Sequence, residues 1–185
     1  MHRSTKWLVG LLVVVGLVGL PAARVGAGHP LPLLLPYNWH KWLHILGAVL
    51  FLGNIIVTGF WMLLAERKGN DASIRFAAVA VNWADVFFTA PGVILLLGNG
   101  ILLSQQWGGL YHAAWIRIAL LLFTLSGAVW VAALIPLQNR LARWAETPGS
   151  LPSSFHEALH WWYFWGVVAT LLPLGSMILM VVKPG

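Results

Sequence analysis

The chain has 185 residues, 59% of them apolar and only 9% charged, so it lacks the polar surface that a water-soluble domain of this size needs. Its solvent is lipid. The net charge of +6 comes from Lys and Arg scattered over loops rather than gathered in a stripe, which argues against nucleic acid as a partner. The absence of cysteine excludes disulfides, thiolate metal sites and covalently attached haem.

Residues Met1–Ala27 open with Arg3 and Lys6, continue in an apolar run from Trp7 to Leu20, and end on the small residues Val25-Gly26-Ala27. This pattern reads as a signal peptide or a retained signal anchor helix. Residues 28–38, rich in Pro and Leu, cannot continue a helix and are expected along the outer interface. A bilayer core of roughly 30 Å takes about 20 apolar residues per crossing, and four such stretches follow in residues 39–185, at about Trp39–Ala65, Phe76–Leu103, Ala113–Leu137 and Ala158–Val182. The expected fold is all-α, a polytopic four-helix membrane bundle behind the N-terminal segment. Arg67, Lys68 and Arg75, then Arg140 and Arg143, make the 67–75 and 138–154 loops cytoplasmic by the positive-inside rule. The C-terminus then lies on the periplasmic face of a bacterial inner membrane. Trp39, Trp42, Trp107 and Trp115 gather at the outer ends, and Trp61, Trp83, Trp144, Trp161 and Trp162 towards the inner ones, as aromatic belts would.

Each span carries a polar stripe at helical spacing. The first has His44, Gly47, Phe51, Asn54 and Thr58; the second Asn82, Asp85, Thr89, Gly92 and Asn99; the third Arg117, Thr124 and Ala128; the fourth His156, His160, Tyr163 and Thr170. Hydrocarbon satisfies none of these polar groups, so the stripes should line the bundle interior. Asp85 and Arg117 carry the largest cost, about 2.5–3.5 kcal/mol on insertion scales. Arg117 is expected near the outer end with His44, His112 and Asn99, where it can snorkel. Asp85 is expected nearer the inner end with Asn82, and His160 or Tyr163 as its partner.

Two patterns point to cofactors. His156-Glu157-Ala158-Leu159-His160 matches H-E-x-x-H, in which two imidazoles one turn apart hold zinc and the glutamate acts as base toward the metal-bound water. Only about 25 residues follow it, too few for a further downstream ligand, which leaves Asp85 as the substitute. The bland reading is a helix start where Glu157 favours the dipole and the imidazoles meet water or headgroups. At the other end, His40, His44 and His112 are near the membrane surface, and neutral imidazole is a usual axial ligand of haem b in helix bundles. His44 with His112 is the interior-facing pair for such a site.

The run Lys41-Trp42-Leu43-His44-Ile45-Leu46-Gly47 with Gly53-Asn54, then Asn82-Trp83-Ala84-Asp85, Thr89-Ala90-Pro91-Gly92, Arg117 and the closing Leu179-Met180-Val181-Val182-Lys183-Pro184 resembles bacterial predicted integral membrane proteins of unknown function built on a four-helix core. The resemblance covers nearly everything after residue 38 and implies a fold without a reaction. The Leu-His pattern of the first core helix also resembles HemJ-like protoporphyrinogen oxidases and copper-resistance D proteins, which would carry His44 over as a haem ligand.

Three functions follow as expectations. The first is an inner-membrane protein whose polar interior, at Asp85, Asn82, Asn54, His160 and Tyr163, binds a small redox partner such as haem or a quinone. The second is an intramembrane zinc hydrolase using His156, His160 and Glu157, with Asp85 as third ligand. The third is a structural or assembly factor, alone, as a homo-oligomer or within a larger membrane complex.

Overall fold

The computed structural model describes residues 2–10, 13 and 31–184. Among these the regular secondary structure is all helix, with no strand. Four helices are long and apolar enough to cross a membrane: α1 (Tyr37–Arg67), α2 (Asp71–Trp107), α3 (Ala114–Glu146) and α4 (Ser153–Val182). They alternate in direction, so one end of the bundle carries the turns 68–70 and 147–152 together with Arg67, Lys68, Arg75 and Arg143. This is called the basic end below. The expected spans are all present, but α2 starts five residues before Phe76 and α3 runs nine residues beyond Leu137 (76 − 71 and 146 − 137). Hydropathy marks only the lipid-immersed part of a helix, and these extensions carry charge into water. The apolar run from Trp7 and the Val25-Gly26-Ala27 sequence lie largely or wholly outside the described residues. Residues 31–36 are non-helical, and the Leu31 N–H donates to Gln105 Oε1 at 2.7 Å beside the end of α2.

Short turns are made by residues suited to them. Gly69, at φ 65°, takes the left-handed conformation between α1 and α2, which costs a side-chain-bearing residue more. Asn70 then caps α2 by accepting from Ala72 N–H at 2.9 Å, satisfying one of the orphan donors of a helix start. At the other side of the basic end, Arg75 Nη1 donates to the carbonyls of Trp144, Ala145 and Thr147, and Nη2 to that of Gly149. One guanidinium thus satisfies the terminal carbonyls of α3, where positive charge is favoured by the helix dipole.

Packing divides the bundle by depth. Towards the far end α1 lies on the second half of α2, and the first half of α3 lies on α4; towards the basic end α2 and α3 pack on each other. The α1–α2 contact is backbone on backbone. A Cβ built on Gly47 would stand 2.6 Å from Leu96 N and 2.7 Å from Gly92 O, and one on Gly92 would stand 2.8 Å from Phe51 N. Small residues let helices approach in lipid, where dispersion and hydrogen bonds drive association. On α3 and α4 serines tie the pair: Ser126 Oγ donates to Ala169 O at 2.6 Å and Ser176 Oγ to Ala119 O at 2.9 Å. At the far end Lys183 Nζ sits 4.7 Å from the centre of the Trp107 ring, a cation–π contact at the rim of the bundle.

Gly92→Ala should therefore lower stability by about 1–3 kcal/mol, the usual cost of overpacking. Gly98→Ala, where a Cβ meets nothing within 4 Å, should be neutral or slightly stabilising. Unfolding in mixed detergent micelles followed by circular dichroism separates the two, and equal midpoints would contradict the close crossing.

Candidate functional site: a carboxyl group held by three helices

Asp85 opens a π-helical turn, Asp85–Thr89, in the middle of α2, and a second π turn, Trp130–Leu134, interrupts α3. Each is followed at its second residue by proline, Pro91 and Pro136. Proline donates no hydrogen bond and its ring crowds the carbonyl four residues earlier, so widening the preceding turn relieves the clash. The same widening rotates the helix and turns Asp85 and Thr89 towards α1, and brings the Gln138 side chain of α3 within reach.

The carboxyl group accepts three hydrogen bonds from neutral donors. Asn54 Nδ2 of α1 reaches Oδ1 at 3.0 Å, Thr89 Oγ1 reaches the same oxygen at 2.8 Å, and Gln138 Nε2 of α3 reaches Oδ2 at 2.8 Å. Asn54 Nδ2 also donates to Thr89 Oγ1 at 2.8 Å. Asp85 is buried, and no cation is bonded to it among the described residues. One turn nearer the basic end, Asn82 Nδ2 donates to Gln138 O at 3.1 Å, tying α2 to α3 a second time. Asp85 lies about 20 Å along α2 from Asp71 at 1.5 Å per residue, beside Asn54 near the midpoint of the 31-residue α1. It therefore lies near the middle of the bundle's length, level with Asn54.

Beside this group lies a cavity of about 590 Å³ lined by all four helices. Phe51, Ile55, Phe123 and Trp130 contribute apolar wall, and Asp85, Gln138, Trp162 and Tyr163 contribute polar groups. Ile56, Phe60, Val167 and Leu171 line it while also exposed on the outside of the bundle, so it opens sideways towards lipid. Three buried polar atoms have no partner among the described residues: Gln138 Oε1, Trp162 Nε1 and Tyr163 Oη. All three belong to side chains of the cavity wall.

The structure brings together Asp85, Asn54, Thr89 and Gln138, with Asn82 one turn away and Tyr163 across the cavity. It does not bring His160 to Asp85. The inward face of α4 is Phe155, Leu159, Trp162, Ala169, Pro173 and Ser176, which turns His156, Glu157 and His160 outward. His156 Nδ1 lies 3.8 Å from Glu66 Oε1. Among the described residues no three of His, Asp and Glu converge as metal ligands, and the set His156, His160 and Asp85 is not assembled. Trp162, read from the sequence as a belt residue, is a buried core residue.

The far-end residues also separate. His40 is buried and its Nδ1 pairs with Asn99 Oδ1 at 2.7 Å, while His44 Nδ1 is hydrogen-bonded to the Leu96 carbonyl at 2.8 Å. His112 is exposed, as is Arg117. The buried face of α3 consists instead of Trp115, Ile116, Ala119, Ser126 and Trp130. Arg117, Thr124 and Ala128 are exposed rather than buried in the interior, and Thr124 also borders the cavity. The cavity wall contains no histidine, so these residues do not fit a haem held by imidazole inside it. Gln138 lies in the segment expected to be a loop, just past the apolar window of the third span, and is helical and buried instead. Its place four residues after Leu134 and three before Leu141, on the face that α3 continues to bury, was the available signal.

Four membrane-length helices, a lipid-facing exterior and an interior tied by neutral hydrogen bonds define a polytopic integral membrane protein. The chain belongs to the family described as Predicted integral membrane protein (DUF2269), whose model matches residues 39–184. That family has no established function. No curated protein and no solved structure matches the chain significantly.

Asp85→Asn should fold almost as stably as the parent. Its oxygen can keep the Asn54 and Thr89 bonds, and its new NH₂ group meets Gln138, whose amide can turn the unpartnered Oε1 towards it. Asp85→Leu strands all three donors and should lose about 1–3 kcal/mol. Detergent unfolding of the two variants checks the order; a leucine variant as stable as the parent would show that the network contributes nothing.

Proposed function

We propose that this is a bacterial inner-membrane protein that takes a small, largely apolar molecule with a hydrogen-bonding head from the lipid into the mid-depth cavity. The ligand class that matches is a quinone or its hydroquinone. The observation that carries the reading is the coincidence of an apolar, laterally open cavity with three unpartnered polar atoms in its wall, Gln138 Oε1, Trp162 Nε1 and Tyr163 Oη. Ligand sites are typically apolar clefts with a few convergent polar groups. Buried polar atoms without partners cost stability, and a ligand head would remove that cost. The Trp162 N–H and Tyr163 O–H suit quinone carbonyls as donors, and Gln138 Oε1 suits a hydroquinone hydroxyl as acceptor. Asp85, bonded to Gln138, is an ionisable group beside such a head.

The orientation follows from charge. Arg67, Lys68, Arg75, Arg140 and Arg143 all belong to the basic-end parts of the helices, which supports a cytoplasmic basic end and a periplasmic C-terminus. Asn82, Asn54 and Tyr163 act in this reading as the frame of the site, and Asp85 as its proton-bearing member.

In lipid nanodiscs, a short-chain ubiquinone analogue should quench the tryptophan fluorescence of the protein saturably. Gln138→Leu and Tyr163→Phe should each weaken binding by about threefold to tenfold, the worth of one hydrogen bond, without shifting the unfolding midpoint by more than the same energy. Quenching that never saturates, or affinities identical in parent and variants, would refute the assignment.

A further inference from the structure

The N-terminal residues that read as the start of a leader make specific contacts with the long helices. Residues 3–10 are helical and rest on the basic end of α2 and α3. His2 N–H donates to Asn139 Oδ1 at 2.7 Å, and the His2 imidazole meets Glu146 Oε1, on the last residue of α3, at 2.8 Å. Ser4 and Thr5 are wholly buried, and Leu8, 1% exposed, belongs to the main apolar core with Met62, Ile74 and Leu141. Thr5 Oγ1 donates to Asn82 Oδ1 at 3.3 Å.

That last bond connects the segment to the site. The Asn82 amide donates to the Gln138 carbonyl, and the Gln138 amide donates to Asp85, so hydrogen-bonded residues run without a break from Thr5 to the central carboxyl group. Without Thr5 the Asn82 Oδ1 has no other hydrogen-bond partner among the described residues, and a buried amide oxygen left so is costly. Arg3 and Lys6 are exposed and join the positive charge already gathered at this end, as a segment that stays cytoplasmic would.

We infer that residues His2–Leu8 remain in the mature protein as a docked cap that closes the basic end of the polar network and separates Asp85 from water on that side. The segment is then a working part of the fold, held by the apolar contact of Leu8, the Thr5–Asn82 bond and the His2–Glu146 pair. This inference stands on the N-terminal contacts and is independent of what the cavity binds.

The natural lack of cysteine makes the test clean. The full-length protein carrying a C-terminal affinity tag is purified from bacterial membranes and its intact mass recorded; the mass should include the residues from His2 onward. Two double variants, Thr5→Cys with Asn82→Cys and His2→Cys with Glu146→Cys, are then treated in native membranes with copper phenanthroline or a short bis-maleimide. Each should give an internally linked species, recognised after a protease cut between residues 10 and 80 by the two fragments staying together. The second pair, in which Glu146 is exposed, keeps the test decisive if the first pair fails to fold. A mature protein that begins near residue 28 would overturn the inference, as would a retained N-terminus that links in neither pair.

Discussion

A carboxyl group at mid-depth in a hydrocarbon slab has to be satisfied by protein, because lipid offers neither water nor donors. Asp85 meets this constraint without a counter-ion, through Asn54, Thr89 and Gln138. Each donor comes from a different place in the chain. The network therefore sets the rotation of α1, α2 and α3 about their axes and their depth relative to one another, something apolar packing alone leaves loosely specified in a membrane. The two π turns serve the same end. Both precede a proline, and both redirect a helix face at the level where the three helices must meet.

The cavity follows from that geometry. With α1 held to α2 by the Gly47–Gly92 crossing and α3 held to α4 by Ser126 and Ser176, the bundle is built from two tight pairs. They are joined mainly towards the basic end, and the space between them remains open nearer mid-depth. Its wall is largely apolar, with polar side chains from Asp85, Gln138, Trp162 and Tyr163 and from the hydroxyl residues Thr58, Thr124, Ser126 and Thr170. Asp85 and Gln138 thus both line the site and tie the pairs together, so stability and binding share those two side chains. That overlap is why a variant such as Gln138→Leu has to be judged on stability and binding together.

The histidines show how far residue type can mislead. Seven occur in the chain, and in two of the helices they fall at spacings that suit haem or zinc. His40 and His44 are instead used locally, one on Asn99 and one on the Leu96 carbonyl. His156 and His160 face away from the interior, because the bulky Phe155, Leu159 and Trp162 occupy the inward side of α4. Imidazole at a membrane interface is amphipathic, and spacing alone does not say which side of the helix is buried.

Composition and apolar run length determined from the sequence alone that this is a four-helix membrane protein. Polar spacing placed Asn54, Asp85, Thr89, Asn82 and Asn99 on the buried faces of the first two helices. Those properties are local: the cost of a polar group in lipid and the helical period act on each segment separately. Only the tertiary structure decided the faces of α3 and α4, the placement of Asp85 beside Asn54 and its bond to Gln138. A π turn shifts every later residue of its helix by a fraction of a turn, and the reach of α3 beyond its apolar window depends on Arg75 holding its end. The first is local, since each π turn precedes a proline in its own helix, whereas the second arises between segments distant in the chain, so no local pattern contains it.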